Sequence, residues 1–206
     1  MVTHKDSSGH ATDLTQKALG LAIAQQSASP RNLAMVLCSC GAGLRAKEIA
    51  SLTWSMVLAE DGSISSAINL PNHAAKKGSG GVIPLAKNVR IALQDLKIHS
   101  EAKKPILPAD HIFISQKTRK GITNQAVIDM FRRIWRKAGI DASSHSGRRY
   151  FATTAARSVS SVGGSLRDVQ MLMRHSSLQT TQLYISPNTK AQVDLVNLVG
   201  KSLRAA

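Results

Sequence analysis

The sequence predicts a mainly α-helical fold with one small antiparallel β-sheet. Three observations predict it. Apolar residues recur at helical spacing through most of the chain, between glycine and proline breaks. Two short β-prone runs, 64–70 and 81–85, flank a glycine-rich turn. No internal repeat or low-complexity tract points to a solenoid or a fibrous chain.

In chain order, residues 1–12 are polar and read as a disordered tail. A helix is predicted from Asp13 to about Ser27–Pro30, and a second from Arg31 to Cys40, broken by Gly41-Ala42-Gly43. A third runs from Arg45 to about Thr53. The two strands follow, with the basic turn from His73 to Gly80 between them, and then a helix over 87–99. Pro105 and Pro108 mark a loop, and His111–Ser115 is strand-like. Residues 123–138 form a basic amphipathic helix and 146–158 another. Residues 165–174 and 177–184 are helical, and a tail helix lies near 189–203. The length of 206 residues fits one substantial domain, large enough to need no disulfide or metal staple.

Charge narrows the function. Lysine and arginine number 27 against 12 acidic residues, a formal net charge of +15. Such a domain meets a polyanion, with nucleic acid ahead of a membrane surface. No strongly amphipathic basic helix carries Trp or Phe on one face, as a membrane-surface helix does. Aromatic content is only 3%, too low for single-strand binding by base stacking, so contact with duplex phosphates is favoured. No apolar run is long enough to span a membrane, and the N-terminus has no apolar signal core, so a cytoplasmic compartment is expected. Cys38 and Cys40 lie one residue apart in an apolar stretch and read as reduced core residues.

Three segments carry candidate chemistry. In Gly43-Leu44-Arg45-Ala46-Lys47-Glu48-Ile49, an arginine opens a helix after a glycine turn. It can grip a phosphate with its fork of N–H donors, or be a surface arginine paired with Glu48 one turn on. In His145-Ser146-Gly147-Arg148, a helical turn brings His145 and Arg148 to one face, an awkward pair unless an anion sits between them. The alternative is a capping region with Ser143 or Ser144 as N-cap. In Met173-Arg174-His175 through Thr180-Thr181-Gln182-Leu183-Tyr184, one of only two tyrosines follows a histidine by nine residues. A tyrosine there is either a reactive group or a structural one.

Taken together, these segments resemble the catalytic domain of the tyrosine recombinases, the phage-integrase family. Its G-L-R-x-x-E-I stretch matches Arg45 and Glu48. Its lysine turn before a V-P-L strand matches Lys76-Lys77 ahead of Val82-Ile83-Pro84-Leu85. Its H-x-x-R and F-A-T motifs match His145, Arg148 and Phe151–Thr153. Its L-G-H-x-x-x-x-T-T-x-x-Y ending matches Met173–Tyr184. The likeness runs from about Asp13 to the tail, and the order and spacing of the motifs make it specific. There are departures: Arg174 replaces the glycine of L-G-H, Gly147 replaces the leucine of H-x-L-R, and Ser161–Gly164 looks like a short insertion.

The resemblance implies the tyrosine-recombinase catalytic fold over 13–185, and strand transfer through a 3′-phosphotyrosine. Tyr184 is then the nucleophile, and Arg45 and Arg148 stabilise charge on the phosphate. His175 bonds a phosphate oxygen, His145 handles the tyrosine proton, and Lys76 protonates the leaving 5′-oxygen. Lys77 competes for the lysine role, though the spacing to Pro84 favours Lys76. No metal or other cofactor is expected. Lys77, Arg132, Arg136 and Arg149 are candidate DNA contacts, with Lys47 a weaker one. Double-stranded DNA is the implied partner, with a homo-oligomer (tetramer) on it and accessory DNA-bending proteins allowed, and a location with bacterial or phage DNA. Relaxation of the type IB topoisomerase kind, or an inactive DNA-binding accessory, are the alternatives. Family members usually carry an N-terminal helical domain, so either a fragment or a short member working without that clamp is expected. The tail, 186–206, would dock on a neighbouring protomer or fold back on its own.

Overall fold

The computed structural model describes residues 14–75, 78–185 and 188–202. The expected tail at 1–12 and the candidate lysines Lys76 and Lys77 lie outside the described residues.

Helix α1 (Gln16–Gln25) is N-capped by the Thr15 hydroxyl, which accepts from the Ala18 N–H at 3.2 Å. Helix α2 (Pro30–Ala42) has proline in its first turn, where no N–H is missed, and is buried along most of its length. The predicted break at Gly41-Ala42-Gly43 falls later than expected. The helix runs through Ala42 and stops at Gly43, whose left-handed conformation (φ 65°) ends it. Helix α3 (Ala46–Ser51) is shorter than expected, ending before Leu52, which turns extended.

Strands β1 (Ala67–Leu70) and β2 (Gly81–Pro84) pair antiparallel, with Ala67 opposite Pro84 and Leu70 opposite Gly81. The first is shorter than the predicted 64–70, because Ile64 pairs only with Leu58 in an isolated bridge. Nor does His111–Ser115 form a strand. His111 bridges Thr53 and Ile114 bridges Gly121, each as a single pair, because no neighbouring strand continues either ladder.

Helix α4 (Lys87–Glu101) packs on α2 through Val89, Ala92, Leu93 and Leu96. Helix α5 (Asn124–Lys137) divides as its sequence period requires: Val127, Met130, Phe131, Ile134 and Trp135 are buried, while Arg132, Arg133 and Arg136 are not. Against expectation, a strongly amphipathic basic helix therefore does carry Phe and Trp on one face, but that face is packed into the core. Phe131 and Trp135 stack with centroids 5.7 Å apart, and the indole N–H donates to the Ser143 carbonyl at 3.0 Å. Helix α6 (Ser146–Ser158) follows. Its N-cap is His145 rather than Ser143 or Ser144, although the Ser143 hydroxyl accepts the His145 N–H at 3.2 Å. The 161–164 stretch is a 3₁₀ turn (Val159–Val162) closed by Gly163 in the left-handed region. Helices α7 (Leu166–Met173), α8 (Leu178–Gln182) and α9 (Thr189–Ser202) complete the chain.

Two hydrophobic clusters result. The large one spans Leu14 to Ala138 and buries Cys38 and Cys40, whose thiols burial pushes up to about 12, as inert core residues. The small one is Ala152, Val169 and Met173, with Phe151 and Tyr184 packed against it. Described side chains from 189 to 199 on α9 are all exposed. No described helix is long and apolar enough to cross a membrane.

Candidate functional site

Arg148 is the hub. Its helix, α6, meets α2 where Gly147 has no side chain: a Cβ there would lie 2.5 Å from Ser39 Oγ and 2.8 Å from Cys40 Sγ. That is why glycine stands where the family motif has leucine. One residue on, Arg148 is buried, and it donates from Nη1 to the Gly43 carbonyl and from Nη2 to the Met173 carbonyl. A single guanidinium therefore ties the C-terminal ends of α2 and α7 together. Gly43 must be glycine twice over, since its φ is positive and a Cβ would lie 2.7 Å from the Phe151 ring.

Two residues past Gly43, Arg45 caps α3. Glu48 accepts its backbone N–H at 2.9 Å and its Nη1 at 2.6 Å. Glu48 is completely buried, and its second oxygen also accepts from Arg174 Nη2 at 2.7 Å. Arg174 occupies the left-handed C-cap of α7 (φ 52°, ψ 47°), the place of the family's glycine. Burial alone would raise the Glu48 carboxyl, but Arg174 and then Arg45 outweigh it and hold it below its ordinary value.

His175 comes next. Its N–H donates to the Gln170 carbonyl at 3.1 Å, and its carbonyl accepts from Gln170 Nε2 at 2.9 Å, so the turn is clipped from both sides. Its Nδ1 lies 3.0 Å from the hydroxyl of Thr181, itself fully buried on α8. Tyr184 lies two residues past the end of α8, and its half-buried ring stacks on the His175 ring with centroids 5.9 Å apart and planes 12° from parallel.

The electrostatics are those of a site for an anion. Burial, with Arg45 next, pushes the Arg148 guanidinium down to about 9, a shift that Glu48 and Tyr184 oppose. Burial, then Arg148, Arg45 and Arg174, push His175 down to about 4, so its imidazole is neutral at pH 7. Arg45 and Arg174 pair with one carboxylate, Glu48, and Arg148 lies within its electrostatic reach, leaving a formal +2 in a partly desolvated cluster. Such a cluster can hold a doubly charged phosphorus centre beside a phenol.

Of the residues predicted from sequence, Arg45, Arg148, His175 and Tyr184 come together here. His145 is exposed at the α6 N-cap, three residues before Arg148. Arg149 is half-buried and donates to the Ser146 hydroxyl at 3.0 Å. Arg132 and Arg136 lie on the solvent side of α5, lining a surface cavity of about 530 Å³ with the 139–142 turn. Sequence reasoning offered Glu48 only as a local partner of Arg45 and assigned no role to Arg174 or Thr181. The signals were present: a glutamate matched in the family motif, an arginine in a glycine position, and a Thr-Thr pair of which only the second threonine faces inward. Among the described residues, no three His, Cys, Asp or Glu side chains are grouped to hold a metal.

Known proteins share this architecture. The model of the Phage integrase family matches residues 13–191. The tyrosine recombinase XerD of Pseudomonas putida is 33% identical over 172 residues, covering 81% of this chain and 51% of that protein. The crystal structure of XerA recombinase superposes with a TM-score of 0.73 at 25% identity, covering 92% of this chain and 65% of that one. The Tn1549 transposon integrase in complex with circular intermediate DNA shares the fold, with a TM-score of 0.71 at 22% identity, covering 94% and 69%. The chain thus spans about half the length of the curated relative it matches.

Proposed function

Because this chain belongs to the phage integrase family, matched across residues 13–191, we propose that it cleaves and rejoins DNA strands through a 3′-phosphotyrosine bond. The observation that carries this reading is the +2 cluster of Arg45, Arg148 and Arg174 with Glu48, beside the His175–Tyr184 ring stack.

In the reaction, the Tyr184 oxygen forms a bond to the scissile phosphorus in line with the bond to the 5′-oxygen, which breaks. The tyrosine proton passes to His145, and the leaving 5′-oxygen takes a proton from Lys76. Attack by the 5′-hydroxyl of a partner strand then reverses the step, and the phosphodiester energy stays in the covalent link. The demand on the protein is charge stabilisation as the phosphorane forms. Arg45 and Arg148 meet it as fixed cations, already desolvated by folding and held by Glu48 and two backbone carbonyls, so little reorganisation remains at the moment of reaction. Neutral His175, its Nδ1 turned to Thr181, presents Nε2 to a phosphate oxygen.

Arg132, Arg136 and Arg149, with Lys77, contact the duplex backbone and position it without reading bases. Strand exchange requires a homo-oligomer on the DNA. The exposed apolar residues Val193, Leu195, Val196, Leu198 and Val199 on α9 support docking on a neighbouring protomer. The setting is bacterial or phage DNA in the cytoplasm.

A duplex nicked close to the cleavage point tests the assignment, because loss of the short fragment traps the covalent adduct. Wild-type protein should form a protein–DNA band stable to denaturation. Tyr184→Phe should retain DNA binding and form none. An equal yield of adduct from that variant would assign the nucleophile elsewhere.

A further inference from the structure

We propose that Arg174 is a third phosphate-binding guanidinium of the reaction centre, donating directly to an oxygen of the scissile phosphate. The inference rests on the strand-transfer reading above and extends the set of groups that touch the substrate.

Four observations carry it. The position is a left-handed C-cap, where the related motif has glycine and a side chain other than Gly or Asn is uncommon. The side chain is only 7% exposed, yet just one of its donor nitrogens, Nη2, has a partner, the Glu48 carboxylate. Nε and Nη1 are buried and without a hydrogen-bond partner in the described structure. Finally, the side chain runs between Glu48 and the start of β2, where the position of a Cβ on Gly81 is 3.9 Å from Arg174 Cδ.

A buried guanidinium with two idle nitrogens is poor design for stability alone. One guanidinium suffices to neutralise one carboxylate, and Glu48 has two, Arg45 at 2.6 Å and Arg174 at 2.7 Å, so the group carries positive charge beyond what Glu48 needs. The third cation instead adds to the electrostatic load on Arg148 and His175, as expected where the groups lie close together. The idle donors and the excess positive charge are both satisfied by one ligand class, a phosphodiester entering beside Arg45 and Arg148. Glu48 then has the second task of aiming two guanidiniums at once.

The test is single-turnover adduct formation on the nicked duplex, with the scissile phosphate either native or replaced by an uncharged methylphosphonate. Arg174→Gly restores the residue best suited to the backbone. It should form adduct about 10²-fold more slowly than wild type on the native phosphate, as the loss of one charge-stabilising donor does. On the methylphosphonate, where the oxygen charge is gone, the two proteins should differ by less than about 3-fold. Arg174→Asn, which also tolerates the left-handed cap, repeats the measurement if the glycine variant melts early. Equal rates for wild type and variant on the native phosphate overturn the proposal. So does an equal loss on both substrates, which would make Arg174 a positioning residue acting through Glu48 on Arg45. Failure of wild-type protein to form any adduct would instead count against the strand-transfer reading itself.

Discussion

Replacing Glu48 by glutamine should destabilise the protein sharply while leaving its shape unchanged. The carboxylate is completely buried and accepts from Arg45 Nη1 at 2.6 Å, the Arg45 N–H at 2.9 Å and Arg174 Nη2 at 2.7 Å. Glu48→Gln keeps the volume and one accepting oxygen. It removes the carboxylate that both guanidiniums share and turns an amide NH₂ toward one of them. Breaking one side of a buried ion pair costs about 3–5 kcal/mol, and the retained oxygen places this change near the lower figure. For a domain of this size each kcal/mol is worth about 2–4 °C, so Tm should fall by roughly 6–12 °C at neutral pH. The gap should depend on pH. The carboxyl of the folded protein titrates below its ordinary 4.5, so its stabilisation is complete above that value and is lost as pH falls through the lower folded one. The glutamine variant has nothing to lose in that window, and the two melting curves should converge there. Calorimetry or circular dichroism from neutral to acid pH measures both. A gap under about 2 °C at neutral pH, or one that persists undiminished into strong acid, would refute the account of Glu48 as a charged keystone.

The remaining expectations concern the site's titration, its packing and its outer surface. Proton NMR of the His175 imidazole should show it neutral at pH 7 and titrating at about 4 in the free protein. Adding duplex to Tyr184→Phe should move that titration upward, because phosphate charge offsets Arg148 and Arg45; no movement would mean the ring does not meet the phosphate. Gly147→Ala should cost about 1–3 kcal/mol in urea unfolding, since its Cβ would lie 2.5 Å from Ser39 Oγ; an unchanged midpoint would show that the α2–α6 interface yields freely. Arg132→Ala with Arg136→Ala should leave Tm within a degree or two but flatten the salt dependence of DNA binding by about 0.9 for each phosphate no longer neutralised; an unaltered slope would take α5 off the duplex.

Helix α5 and the hairpin were legible in the sequence because a strong 3.6-residue period and a glycine-rich turn are local signals. The single bridges at His111 and Ile114 were not, because an extended apolar run reads the same whether or not a partner strand exists. The candidate site residues stand out in the sequence as a pattern of types and spacings, and four of them, Arg45, Arg148, His175 and Tyr184, lie together. The side chains that organise them were harder to see. Glu48 looks like an ordinary i,i+3 partner of Arg45 until the second arginine, 126 residues away, arrives on its other oxygen. The left-handed cap at Arg174 is likewise invisible in a residue that seldom adopts it, and shows only as a departure from a glycine motif. Such features arise from long-range convergence, which no local window contains.

The two hydrophobic clusters are unequal, and the phenol belongs to the lesser. Ala152, Val169 and Met173 form a nucleus of three buried residues, whereas the other cluster takes in most of the chain before residue 139. Free energies of sub-global opening scale with the apolar surface released. Amide hydrogen exchange should therefore be faster through α7 and α8 than through α2 and α4, with the segment bearing Tyr184 unlatching while the arginine at the head of α3 stays seated. A site built this way can uncouple its phenol while the scaffold that holds its guanidiniums stays folded.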